Sequence, residues 1–155
     1  MGFGAMVKYS IVPTVINVIM GTLGALIGII PVIGGFLVCL TGPIGWVISA
    51  VLFAWAGHSL VKGGGGGIGS AAGAGFISAL ASTIIVGVIN LVFQMLGIGV
   101  GAALNQNSDA GTMLMGAGVG LGAGLIGGAV ALVIWPIVGA VMGAIGGMVA
   151  GGPKK

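Results

Sequence analysis

Residues Gly116 to Gly128, "GAGVGLGAGLIGG", carry the reading that decides the fold. The stretch is too glycine-rich for an ordinary helix in water, where each glycine costs about 1 kcal/mol relative to alanine. It is also too apolar for a flexible linker. Three readings compete: a phosphate-cradling loop, a low-complexity spacer, or a helix face built to touch another helix. Composition chooses among them. Apolar residues make up 58% of the 155 and charged residues 3%, where a soluble domain carries about 25% charged. So few charges cannot keep a chain of this length dispersed in water, and the solvent it implies is lipid.

In lipid the glycine spacing acquires a meaning. Gly116, Gly120, Gly124 and Gly128 recur at every fourth position, and beyond Pro136 the series resumes at Gly139, Gly143, Gly147 and Gly151. The step from Gly128 to Gly139 is close to three helical turns, so both sets fall near one winding stripe. A second series runs through Ala71, Gly75, Ala79, Thr83 and Gly87. Gly24 and Gly28 form a short third one, with Asn17 and Gly21 on a neighbouring face. This is the small-xxx-small pattern of membrane helices. Lipid tails are as apolar as leucine, so helices associate through close backbone approach and dense van der Waals contact. Gly122 to Gly127 also spells a formal GxGxxG, but a dinucleotide site needs a preceding strand, a βαβ unit and a downstream acid, and none is present. Gly63 to Gly67 lacks the Lys-Ser/Thr pair of a P-loop. The stripe therefore reads as a helix–helix contact face.

A membrane-spanning helix needs roughly 20 apolar residues, which predicts an all-α, four-span integral membrane bundle forming a single domain over residues 1–155. The first span is expected over 11–30, opened by Pro13 and closed by Pro31. The second is expected over 43–60, because Thr41-Gly42-Pro43 carries a cap and a first-turn proline. Residues 32–42 then form a short apolar segment at the outer face, or else join a longer kinked helix. Five glycines, Gly63 to Gly67, predict a turn. The third span is expected over 70–97. Leu104 to Thr112, "LNQNSDAGT", is the one hydrophilic stretch and belongs outside the bilayer. The last span is expected over 113–135, with an extension bent at Pro136 and running to 151.

Charge supports the count. With four spans Lys8, Lys62, Lys154 and Lys155 fall on one side and Asp109 on the other, the positive-inside arrangement with both termini cytoplasmic. A fifth span would move the terminal lysines outside. Trp46 and Trp55 are expected towards opposite interfaces of the second span. "GIIPVIGG" (28–35) and "VIWPIVGA" (133–140) look like paired proline-broken segments, as in some transporters, but glycine and valine are so abundant here that coincidence explains the likeness. The apolar run after Lys8 is longer than the roughly 7–15 residues of a signal peptide's core. "MGFGAM" places Met6 where a myristoylation site wants Ser or Thr.

The remaining chemistry is sparse. The net charge of +3 comes from four lysines without any arginine, which argues against a nucleic-acid partner. Cys39 is the single cysteine and reads as a small packing residue. His58 sits one turn before Lys62, where water serves as its partner. One His, one Asp and no Glu leave no nucleophile–base–acid set and no metal cluster. No ionisable residue falls in the middle of a span, which argues against a pump or a proton channel. No catalytic residue, cofactor or metal site is therefore expected.

Ser78, Ser82, Asn90 and Gln94 share one face of the third span, with Val86 completing the steps, and Asn17 lies in the first. They read as interhelical hydrogen-bonding groups or, alternatively, as the lining of a path for a small uncharged solute. In length, span count and small-residue faces the chain resembles the channel-forming subunits of mitochondrial inner-membrane protein translocases. It has no arginine to match a basic family motif, so the resemblance carries over no residue and no function. The function expected is that of a non-catalytic structural subunit packing into a homo-oligomer or a larger membrane assembly. The alternative is a passive channel or carrier.

Overall fold

The computed structural model describes the backbone of residues 2–28, 33–104 and 110–151, and side-chain surroundings over 2–27, 42–96, 122 and 124–151. The described chain is helical almost throughout, in four helices: α1 (Phe3–Gly28), α2 (Ile33–Gly64), α3 (Ile68–Leu104) and α4 (Ala110–Val149). Each holds a stretch long and apolar enough to cross a membrane: Phe3–Ile27, Gly42–Gly64, Ile68–Leu96 and Gly124–Val149. Glycine-rich sequence becomes helix here because an apolar solvent offers backbone N–H and C=O groups no partner. The only remedy within one segment is the helical ladder, and that outweighs intrinsic propensity.

The distribution of side chains is the reverse of a soluble domain, where large aliphatic residues fill the interior. The buried set is mostly small: Ala56, Ala71, Ala74, Ala79, Ser10, Ser78 and Ser82, with Leu52, Phe53, Leu60 and Val61 as the larger members. The outward faces carry Ile11, Val15, Ile19, Trp46, Val51, Val88, Ile126 and Val133. Large apolar residues outside and small ones inside is what lipid selects, because greasy bulk meets lipid tails without penalty while small residues let helices close on one another.

The helices run alternately up and down. Met6, Ser10, Thr14, Asn17 and Gly21 of α1 meet Gly73, Ala74, Ser78, Ser82 and Val86 of α3 at a nearly constant offset, so these two are parallel. Gln94, Ala79, Gly75 and Ala71 of α3 meet Gly124, Gly139, Gly143 and Gly147 of α4 in reverse order, so those two are antiparallel. Both α1 and α4 pack on the α2–α3 pair, and among the described residues they do not touch each other. Lys8, Lys62 and the end of α4 lie at one end of the bundle, where Tyr9 meets Gly63 and Gly147 meets Val61 and Ile68.

Four helices are present, but their limits differ from those read in the sequence. Pro13 and Pro43 were expected near span starts, yet each lies inside a continuous helix, α1 beginning at Phe3 and α2 at Ile33. Residues 33–42 thus belong to α2. Pro136 lies well inside the Gly124–Val149 stretch, not at the end of a span. The shared reason is that proline removes one donor, a loss that membrane helices absorb through their neighbours, so it does not end them as it would in water. The five-glycine turn narrows to Gly65–Gly67. Gly65 takes a positive φ of 67° and donates its N–H to the Val61 carbonyl at 3.2 Å, the left-handed cap that glycine adopts without strain. Trp55 lies near the middle of Gly42–Gly64, because α2 continues past residue 60. Asp109, Lys154 and Lys155 fall outside the described residues.

Candidate functional site: two interhelical seams

The first seam holds α4. Gly75 of α3 faces Gly139 and Gly143, and a Cβ added at Gly75 would collide with the Gly139 carbonyl. A Cβ at Gly139 would meet the Ala79 methyl and stand 2.6 Å from the Gly75 carbonyl oxygen. One at Gly143 would stand 2.5 Å from the carbonyl oxygen of Ala71, and one at Gly147 would stand 2.5 Å from the Ala71 methyl. On its other flank α4 crosses α2 through a second set of small residues. A Cβ at Gly57 would collide with the Gly143 carbonyl, and one at Gly146 with the Ala54 carbonyl. At each of these glycines the nearest obstacle is backbone or a methyl anchored to it, so nothing can swing aside. Beyond this crossing Trp135 makes edge-to-face contacts with Trp46 (6.2 Å between ring centroids) and Phe53 (6.3 Å). Trp46 thus belongs to an aromatic cluster between α2 and α4. Beside it lies an open apolar groove of about 520 Å³ bounded by Trp46, Ala50, Val130, Ile134 and Trp135.

The second seam holds α1, and it is polar. The Ser10 hydroxyl shares its proton between the Met6 carbonyl of its own helix (2.7 Å) and the Ala74 carbonyl of α3 (2.8 Å). One turn on, Thr14 donates to Ser78 Oγ at 3.1 Å. A further turn on, Asn17 Nδ2 donates to Ser82 Oγ at 3.0 Å while its Oδ1 accepts from Ser49 of α2 at 2.6 Å. Ser82 in turn donates to the Ala79 carbonyl. Asn17 therefore ties three helices together. Among the described residues no buried side-chain polar atom lacks a partner, as an apolar surround demands. Where α1 meets glycine it does so through side chains: Tyr9 over Gly63, Met6 over Gly73, and Val86 of α3 over Gly21.

The residues singled out in the sequence divide among these seams. Gly75, Ala79, Gly139, Gly143 and Gly147 meet at the α3–α4 contact. Ser78, Ser82 and Asn17 meet in the polar seam. Gly124 lies under the Gln94 amide, whose Oε1 stands 2.7 Å from the place of a Cβ there. Asn90 is half-buried and Gln94 exposed, so neither joins Ser78 and Ser82 in one buried row. Gly24, Gly87 and Gly128 have nothing within 4 Å of an added Cβ. Gly28, Gly116 and Gly120 lie within helices, and their surroundings are outside the described side chains. Among the described residues no three His, Cys, Asp or Glu side chains come together.

No family model, characterised protein or solved structure matches the chain.

Several participants were not singled out in the sequence. Gly57 and Gly146 pair with Ala54 and Gly143 at three-residue spacing, which a search for fourfold recurrence passes over. Both i±3 and i±4 rows form ridges on a helix, and either can meet a neighbour. Ser10, Thr14 and Ser49 escaped because a hydroxyl in a helix commonly bonds a carbonyl one turn back. Ser10 and Ser49 do that as well, at Met6 and Gly45. The available signal was register: Ser10, Thr14 and Asn17 fall on one face of α1.

Proposed function

We propose that the chain is a non-catalytic, lipid-embedded structural subunit that packs, through its small-residue stripes, into a homo-oligomer or a larger membrane assembly. The observation that carries this reading is the split among the glycines. Gly75, Gly139 and Gly143 are consumed by contacts within the chain, whereas Gly24, Gly87 and Gly128 leave notches that the chain itself does not fill. On membrane helices such notches suit the backbone of a neighbour. The chemistry agrees, since one His, one Asp and no Glu supply no catalytic set. The lysine asymmetry of the sequence supports an orientation with both termini on the cytoplasmic side. Labelling from outside should then reach Asp109→Cys and spare Lys62→Cys.

The test of assembly is the mass of the particle purified in mild detergent. A stable particle heavier than one chain is expected, either several copies or this chain with larger subunits. A monodisperse single chain in every mild detergent would contradict it. The rival reading, a passive path for an uncharged solute, draws on the exposed Gln94 and half-buried Asn90. Solute flux into liposomes that disappears in a stable Asn90→Leu, Gln94→Leu variant would establish the path instead.

A further inference from the structure

We propose that the lysine-bearing end of the bundle is a binding surface for anionic lipid headgroups, with Lys8 and Lys62 as its contacts. The inference rests on the membrane-embedded reading above. Lys8 and Lys62 are exposed and stand on different helices, α1 and α2. The Tyr9 phenol oxygen reaches to 2.7 Å from the place of a Cβ at Gly63, beside Lys62. The Lys8 ammonium lies 6.0 Å from the centroid of the Tyr9 ring. Tyr9 thus stands beside the Lys8 ammonium and against the backbone next to Lys62, at the same end of the bundle. Gly63 and Gly64 at the end of α2 and the connection Gly65–Gly67 carry no side chain that would hold a headgroup away.

Charge fixes the kind of partner. The chain has a single acidic side chain, Asp109. Among the described residues there is no Asp or Glu to neutralise Lys8 or Lys62, so the charge of this end suits a negative partner from outside. A lysine at a helix end extends its ammonium to the headgroup level while its stem stays in apolar surroundings. There the dominant anions are lipid phosphates, and each lysine near such a surface contributes about fivefold in binding.

The experiment uses the full chain in nanodiscs of mixed phosphatidylglycerol and phosphatidylcholine, with the lipids retained by the released protein counted by native mass spectrometry. The wild type is expected to retain phosphatidylglycerol preferentially. Lys8→Gln with Lys62→Gln should weaken that preference by roughly twenty-five-fold, at about fivefold per lysine, while Lys8→Arg with Lys62→Arg keeps it. Raising the salt should weaken it too. Preference unchanged in the glutamine pair would overturn the assignment. So would displacement of the lipid by free glycerol phosphate, which would make the ligand a soluble phosphate. A chain that enters the discs and holds both lipids equally overturns this inference alone. A chain that stays in the aqueous phase overturns the membrane reading with it.

Discussion

Helices α1 and α4 are both held against the α2–α3 pair, by opposite means. Helix α4 is held by the absence of side chains: Gly139, Gly143 and Gly146 bring its backbone onto the carbonyls of Gly75, Ala71 and Ala54. Helix α1 is held by the presence of side chains, since Ser10, Thr14 and Asn17 bond across to Ala74, Ser78 and Ser82. Its glycine contacts are notches into which Tyr9, Met6 and Val86 project. Both solutions suit lipid, where no hydrophobic force gathers the helices and each contact must be made by packing or by hydrogen bonds. They differ in tolerance. A backbone-to-backbone contact has no way to yield, whereas a side chain can turn to another rotamer and a lost hydrogen bond between neutral groups costs little.

The largest effect is therefore expected at the α2–α4 crossing. Gly146→Leu drives a side chain into the Ala54 carbonyl and should cost at least the roughly 1–3 kcal/mol typical of overpacking. The check is the folded fraction in a detergent-denaturant titration. A Gly146→Leu variant as stable as the wild type would show that the two helices part freely there. Next comes Gly21→Ala in the α1 seam. Its new methyl would meet Val86, a β-branched side chain with little rotamer freedom, 2.7 Å from the place of the Cβ. A loss of roughly 1–2 kcal/mol is expected, and Val86→Ala in the same chain should restore most of it. A double-mutant cycle with no coupling would contradict the contact.

The smallest effect is expected at the hydrogen bonds. Asn17→Leu removes the links to Ser82 and Ser49, and bonds of this kind between membrane helices average about 0.6 kcal/mol. The loss should be near 1 kcal/mol, visible in the same titration. A much larger loss would mean that the polar seam, and not the glycine seam, governs the bundle.

How much of this was legible in the sequence follows from what periodicity encodes. Four helices were legible because each apolar run is bounded by glycine, proline or polar residues. Their ends were not, because Pro13, Pro43 and Pro136 look like boundaries to a reader trained on water and behave as interior residues in lipid. The face bearing Gly75, Ala79 and Gly87 was legible. Which members of that face meet another backbone was not, since spacing places residues on one side of a helix and says nothing about where a neighbour crosses it. A Cβ at Gly75 would collide with the Gly139 carbonyl of α4, whereas one at Gly87 meets nothing within 4 Å. Asn17, Ser78 and Ser82 stood out as polar groups in apolar runs. Their pairing depended on the parallel register of α1 and α3, which only the folded chain reveals.

A glycine in α4 matters through what stands opposite it, not through its being glycine. Gly143→Leu and Gly128→Leu place the same substitution on the same helix. A Cβ at Gly143 would stand 2.5 Å from the Ala71 carbonyl oxygen, whereas one at Gly128 meets nothing within 4 Å. The most direct measurement is the thermal unfolding midpoint of the two variants beside the wild type in one detergent. A large fall is expected for Gly143→Leu, and for Gly128→Leu a midpoint close to that of the wild type. Equal midpoints, whether both unchanged or both depressed, would contradict it.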